Sequence, residues 1–516
     1  MNTKTINGIT WNRFFLQLGL DKDGTLVETG KKNTPLVLEE DGAVNMANAT
    51  GHSVLEAGEY YLEYNGQRLC VSAETARHID DYSKVFYYGK DAFASIVSFQ
   101  AEVVEQSFVL VMKTAFMMEN KKPDKKRVFI GAKSWKQAMG NLVRNCIQDG
   151  IAFTYDVACK ILPRNGKRVL LMSQTRDRLS ENLQVLDNRM KERGMDKEYQ
   201  ISYSITNLLD GGMSPWKWLK TTLAMANKDY IFLDDYTPIF TFVNCDKRTV
   251  LTQVWHAGVG FKSCGYSRFG LPNGPHPNKS CHRQYDYAVI GSAGLYEDYR
   301  EVFGVEKSRF VPSGLPRLDG NLNEETIQSF RNRFFAEHPE WKGKRIVLFA
   351  PTFRGDSQLC AYYDYDQIDF DALYEVCKND IVLFKMHPFV KEAVPVPEQY
   401  KHCMFDYTKY PNINELFYVT DVLISDYSSA IYEFSLFEKP MLFYAYDEDL
   451  YAVSRGLYRS LEEFAPGKVC YTFEQLTEAL RTNDYALDKL EAFRKHGFDQ
   501  FDNHNADRVL DAVFKK

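Results

Sequence analysis

The stretch Asp421–Lys439, DVLISDYSSAIYEFSLFEK, decides how the chain is read. DVLIS is a short apolar run of the kind that forms a strand buried on both faces, and AIYEFSLFEK carries apolar residues at helical spacing. Between them lie Asp426, Tyr427, Ser428 and Ser429. Serines at a helix start cap it by accepting hydrogen bonds from its first free backbone N–H groups. The same free donors, with the helix dipole, favour an anion at that end. Capping alone accounts for a bare serine pair. A strand leading directly into the turn adds the second reading, because ligands of open parallel sheets bind beyond the C-terminal ends of the strands.

Reading outward, the same grammar recurs. RIVLFAP, IVLFKMH, HCMFDY and KPMLFYA follow the strand pattern, and so do RVFIGAK, KRVLLMS, YQISYSI, DYIFLDD and TVLTQVWH earlier in the chain. Helical patterns such as SWKQAMGNLVRNCIQDG and SENLQVLDNRMKERG separate them. Alternation of this kind predicts parallel sheets covered by helices on both faces. The fold class expected is α/β of GT-B type, with two Rossmann-like lobes facing a cleft. Residues 1–122 differ. ITWNRFFLQLGL, EYYLEYNGQRLCVS and ASIVSFQAEVVEQSFVLVMKT are β-rich runs broken by DKDG, EEDG and YNGQ turns, which predicts an antiparallel, sandwich-like accessory domain. The polar KKPDKK segment, Lys121–Lys126, is the expected linker. The expected domains are therefore 1–122, a first lobe 123–315 on the acceptor side, and a second lobe 316–516 that binds the donor.

Four strand ends carry candidate chemistry. In VLTQVWHAGVGFKSCGY, His256 precedes a Gly-rich loop holding Gly258 and Lys262, and a histidine there suits a general base. In RIVLFAPTFRGD, Thr352 and Arg354 are expected to project into the cleft, where the planar guanidinium fork suits phosphate oxygens. In IVLFKMHPFV, Lys385 and His387 share one strand face, and Pro388 holds the helix off. The fourth is the Asp426–Ser429 turn, where Asp426 either orients a neighbouring donor or caps. Asp234–Asp235 in DYIFLDDY reads as a strand-end loop pair rather than a metal-binding cluster.

The whole chain sets limits. Its 516 residues exceed one ordinary core. Hydrophobic residues at 45% and charged residues at 26% mark it as globular. Lys and Arg total 63 against 69 Asp and Glu, for a net charge of −6, which argues against a general nucleic-acid binder. Ten scattered cysteines without a CxxC pair read as free thiols of a reducing cytoplasm. The start MNTKTINGITWNRFF has no signal-peptide pattern, and no run of about 18 apolar residues is present.

Taken in order, DVLISDYSSAIYEFSLFEKPMLFYAYDEDLY, YPNINELF, KMHP, APTFR, GLPRLD and RGLYRSLEEFAPG resemble the CDP-glycerol glycerophosphotransferase family, the teichoic-acid and capsule polymer synthases of GT-B fold. The resemblance covers Thr249–Lys468 well and Arg127–Arg248 by general pattern only. It implies attack on the β-phosphorus of a CDP-alditol, CDP-glycerol or CDP-ribitol, with release of CMP. It assigns His256 as base for the acceptor hydroxyl, and His387, Arg354, Ser428 and Ser429, with Thr352 and Lys385, to the donor's phosphates. Asn414 and Glu415 fall at the nucleotide end, Gly258 and Lys262 in the acceptor loop. No cofactor and no metal are implied. A lipid-linked or polymer acceptor would place the enzyme in the cytoplasm, on the inner membrane face. Members of the family carry His-Gly-Thr-Pro-Leu-Lys where this chain reads His-Ala-Gly-Val-Gly-Phe-Lys, a departure that bears on the acceptor. The competing readings are a GT-B glycosyltransferase or epimerase using a nucleotide-sugar, and a non-catalytic scaffold recruiting partners through the β-domain.

Overall fold

Two six-stranded sheets, parallel throughout, build the body of the molecule. The computed structural model describes residues 4–514 except 22–23, 28–32, 52–53, 89–92, 105, 119–134, 208–213, 257–263, 270–279, 356–359, 453–456 and 458. The expected linker and the RVFIGAK strand therefore lie outside the described residues, as do Gly258 and Lys262 of the acceptor loop.

In the first lobe the strands run, across the sheet, Gln200–Ile205, Arg168–Ser173, Tyr230–Leu233, Val250–Gln253, Tyr287–Ile290 and Phe310–Pro312. In the second they run Met404–Asp406, Ile381–Phe384, Ile346–Phe349, Val422–Ser425, Met441–Tyr444 and Lys468–Cys470. Ile346–Phe349, Ile381–Phe384, Val422–Ser425 and Met441–Tyr444 are buried at every position, as strands covered on both faces must be. Each sheet reverses its order of growth once. The reversal falls between Arg168–Ser173 and Tyr230–Leu233 in the first lobe, and between Ile346–Phe349 and Val422–Ser425 in the second. Loops leaving two such neighbours diverge and open a crevice at their C-terminal ends, the preferred ligand position of this architecture.

The N-terminal region carries a nine-stranded and a three-stranded sheet, antiparallel except where Thr5–Ile6 pairs with Cys70–Val71. Its core is shared with the body: Tyr266 and Phe269 are buried in it, with Phe269 stacked 4.9 Å from Phe86. Asp41 and Glu40 pair with Arg300 and Lys307, each at 3.2 Å.

The end of the chain does not stay with the second sheet. The Asn505–Val513 helix packs on the Glu181–Glu192 helix of the first lobe, with Arg189–Asp507 at 2.8 Å and Arg193–Asp511 at 2.7 Å. Asp319 of the GLPRLD motif accepts from the Asn505 and Ala506 N–H groups at the start of that helix. Gly314 of the same motif has φ +79°, and a Cβ there would lie 2.0 Å from the Asn505 side chain. Both the turn and the close approach require glycine.

Candidate active site

The second lobe's crevice is lined by the loops after Ile346–Phe349 and Val422–Ser425, and the two are locked together. Asp426 accepts from the Thr352 N–H at 2.7 Å and from Arg354 Nη1 at 2.9 Å. Arg354 turns the rest of its fork on Asp447, with Nε at 2.6 Å and Nη2 at 2.9 Å, and Nη1 also reaches the Thr352 carbonyl at 2.9 Å. Tyr363, Tyr427, Tyr446 and Tyr451 surround the guanidinium at 5.3–5.6 Å. Burial opposes its charge, but Asp426 and Asp447 outweigh that and hold it above the ordinary arginine value. Arg354 is thus an interior tie between strand ends, with its fork committed to two carboxylates, and not the cleft-facing phosphate ligand expected from the sequence. Asp426 bridges the two loops through Thr352 and Arg354, and Thr352 is a buried backbone partner.

Ser428 and Ser429 complete this turn. The Ser428 hydroxyl accepts from the Ala430 N–H at 3.3 Å. Ser429 precedes the Ala430–Ser435 helix at φ −70°, ψ −10°, and its side chain makes no cap hydrogen bond. A capping side chain needs an extended backbone to fold back over the helix. Ser429 is already helical, so of the two expected caps only Ser428 bonds a backbone donor.

His387 stands just beyond Ile381–Phe384. Its Nδ1 accepts from the Phe389 N–H at 3.2 Å, and its ring lies 4.8 Å from Phe353, beside the Thr352–Arg354 loop. A ring that accepts at Nδ1 carries its proton, when neutral, on Nε2 and donates from there. Lys385 does not join it. The lysine is buried with its ammonium on the Thr408 carbonyl at 3.0 Å, and burial lowers its pKa, against the pull of Asp406. Glu415, in the Ile413–Phe417 helix, accepts from Tyr410 Oη at 2.7 Å, and Asn414 beside it is buried.

Across the molecule, His256 follows Val250–Gln253. Trp255 before it has φ +54°, a left-handed conformation that costs a tryptophan on the order of 1–3 kcal/mol. Two hydrogen bonds hold it: Trp255 N–H to Gln253 Oε1 at 2.9 Å and Asn182 Nδ2 to the Trp255 carbonyl at 2.7 Å. His256 is part-exposed, and its Nδ1 lies 3.4 Å from Asp235 Oδ1. Asp235 and its neighbour Asp234 leave the strand at the first lobe's switch point.

One path of contacts ties the two crevices. Asn182 also accepts from the Arg317 N–H at 2.9 Å, and Arg317 Nη2 pairs with Glu433, buried on the helix that follows Ser429. The sequence reading did not single out Asn182, Glu433 or Asp447 and gave Arg317 no role, although Arg317 and Glu433 lie inside GLPRLD and SDYSSAIYEF.

The sequence profile of CDP-Glycerol:Poly(glycerophosphate) glycerophosphotransferase matches residues 155–515. The chain belongs to this family. It is 34% identical over 362 residues to the teichoic acid poly(ribitol-phosphate) polymerase of Bacillus spizizenii, covering 70% of this chain and 58% of that protein. It is 35% identical over 353 residues to the teichoic acid ribitol-phosphate polymerase TarL of Staphylococcus aureus, covering 68% and 63%. The match thus spans about three fifths of the length of these two relatives. The fold is also that of the wall teichoic acid polymerase TagF, with a TM-score of 0.57 at 21% identity over 74% of this chain and 98% of that one. The glycerophosphotransferase match begins at residue 155, so the β-rich region lies outside it.

Proposed function

We propose that this chain transfers an alditol phosphate from a CDP-alditol to an acceptor hydroxyl, releasing CMP, in the synthesis of a teichoic-acid or capsule-type polymer. The path Trp255–Asn182–Arg317–Glu433 carries the reading. It fixes the backbone just before His256 against the helix that begins after Ser429, so that a base and a phosphate-binding turn from different lobes serve one reaction. His256 takes the proton from the acceptor hydroxyl, whose oxygen forms a bond to the β-phosphorus. The bond from that phosphorus to the bridging oxygen breaks, and CMP leaves with the electron pair. His387 donates from Nε2, and the Ser428 and Ser429 hydroxyls donate to the diphosphate. Transfer of this kind needs mainly positioning and charge stabilisation. Arg354 and Asp426 shape the turn from behind it. Asn414 and Glu415 serve the nucleotide end, and Gly258 and Lys262 the acceptor.

Polymerases named for ribitol phosphate are 34% and 35% identical, against 28% and 26% for polymerases named for poly(glycerol phosphate), while a primase named for ribitol phosphate is 28% identical; the comparison among polymerases favours CDP-ribitol as donor. Mass-resolved product release from the full chain offered CDP-ribitol, CDP-glycerol and a UDP-sugar checks this. The expected result is CMP, fastest from CDP-ribitol. UDP without CMP would replace the reading with a glycosyltransferase.

No helix among the described residues is long and apolar enough to cross a membrane. The Trp135–Ile161 and Pro215–Met225 helices pack together and expose Trp135, Val143, Trp216 and Leu223 beside Lys136, Arg144, Lys217 and Lys220. Exposed indoles beside cations suit an anionic bilayer surface, where a lipid-linked acceptor sits. Trp216, at 74% exposure, is the anchor to remove. Trp216→Ala is expected to lower sedimentation with phosphatidylglycerol vesicles several-fold. Equal sedimentation would remove the membrane from the account.

A further inference from the structure

The acidic pair Asp234–Asp235 has no part in the transfer as described so far. It leaves Tyr230–Leu233 at the first lobe's switch point, and its two members sit in different surroundings. Asp235 is held on both oxygens: Oδ2 accepts from Thr175 Oγ1 at 3.0 Å, and Oδ1 from the Tyr236 N–H at 2.6 Å. Thr175 belongs to the loop after Arg168–Ser173, the other wall of the crevice. Oδ1 faces His256 Nδ1 at 3.4 Å, and that buried nitrogen has no hydrogen-bond partner among the described residues. Asp234 is fully buried behind it, neither of its oxygens in an aligned hydrogen bond, with Arg176 Nε 3.8 Å away.

We infer that Asp235 is the positioning residue of His256, directing the proton of the neutral imidazole to Nδ1 so that the Nε2 lone pair meets the acceptor hydroxyl. This deepens the proposed function and rests on it. The reasoning is local. A lone pair on Nδ1 would face a carboxylate oxygen at 3.4 Å with no hydrogen-bond donor among the described residues to relieve it, whereas an N–H there meets an acceptor. Once Nε2 has taken the acceptor's proton, the ring is cationic, and the carboxylate stabilises it. His387 has the opposite arrangement, since its Nδ1 accepts a backbone N–H and its Nε2 carries the proton. The two family histidines are thereby set as base and donor by what each Nδ1 faces. Burial pushes the Asp234 carboxyl up, with the Ser180 hydroxyl working against it and the Asp235 charge adding to it. The other titratable and charged groups near the pair are His282, Cys281 and Tyr285, which feel Asp235, and Arg176, which faces Asp234.

The test uses the full chain with nitrogen-15 histidine, the His256 signals being identified by their loss in His256→Ala. In the wild type the neutral ring is expected to carry its proton on Nδ1. Asp235→Ala shifts it toward Nε2, and Asp235→Asn, which keeps the shape without the charge, loses the preference for Nδ1. CMP release at saturating CDP-alditol falls about 10²-fold or more in both variants, as when a base loses its orienting carboxylate. KM for the donor stays within about twofold, because Asp235 does not touch it. A His256 tautomer unchanged in both variants would overturn the inference. Full CMP release from His256→Ala would instead overturn the base assigned under the proposed function, and the spectra distinguish the two failures.

Discussion

The two switch points share one topology and treat charge in opposite ways. In the second lobe Arg354, Asp426 and Asp447 satisfy one another inside a ring of tyrosines. Among the described residues there, the Ser428 and Ser429 hydroxyls and the His387 imidazole remain at the surface. In the first lobe the carboxylates of Asp234 and Asp235 and the imidazole of His256 meet with buried polar atoms still unmatched, among them Ser173 Oγ, Asp234 Oδ1 and His256 Nδ1. A site that binds a diphosphate gains from a rigid, pre-arranged turn. A site that must accept a proton gains from a group whose charge changes during the reaction, and that cannot be fully matched in either state. The contrast fits the proposed function, in which the second lobe binds the donor and the first transfers the proton.

Arg354→Ala strikes the rigid side hardest. It leaves Asp426 and Asp447 as buried carboxylates without their cation, a loss of about 3–5 kcal/mol of folding stability, read by denaturant unfolding. Arg354→Lys recovers only part, because an ammonium cannot bridge two carboxylates through a planar fork. Normal stability with weakened CDP binding would instead return Arg354 to the phosphates. Smaller effects separate the two serines. Ser428→Ala loses the bond to Ala430 N–H, costing about 0.5–2 kcal/mol. Ser429→Ala loses no cap bond and is expected to change stability by less than about 0.5 kcal/mol while lowering turnover tenfold or more. Equal stability losses for the two serines would make both of them caps.

The strands were legible in the sequence where apolar runs such as VLLM, IVLF and VLIS are long enough to be buried on both faces. Tyr287–Ile290, Phe310–Pro312 and Lys468–Cys470 were not recognised, because runs of three or four residues carry little pattern, and the last two also lie at a sheet's edge. The histidines and serines stood out because strand ends are where this architecture binds ligands. Arg354 and Lys385 stood out for the same reason, yet both are buried on internal partners. A charged residue after a strand looks identical whether it faces the crevice or an interior partner. What decides is a partner far along the chain: Asp447 lies 93 residues from Arg354, and Glu433 lies 116 from Arg317. The return of the last helix to the first lobe is equally remote from any local pattern.

The division of labour between the lobes is tested most directly by single-turnover CMP release in wild type, His256→Ala and Ser429→Ala, with CDP-alditol affinity measured alongside by calorimetry. His256→Ala is expected to bind the donor normally and to release CMP about 10²–10⁴-fold more slowly. Ser429→Ala is expected to weaken donor binding. A His256→Ala variant that loses donor affinity in step with turnover, or keeps wild-type turnover, would contradict the assignment of proton transfer to the first lobe.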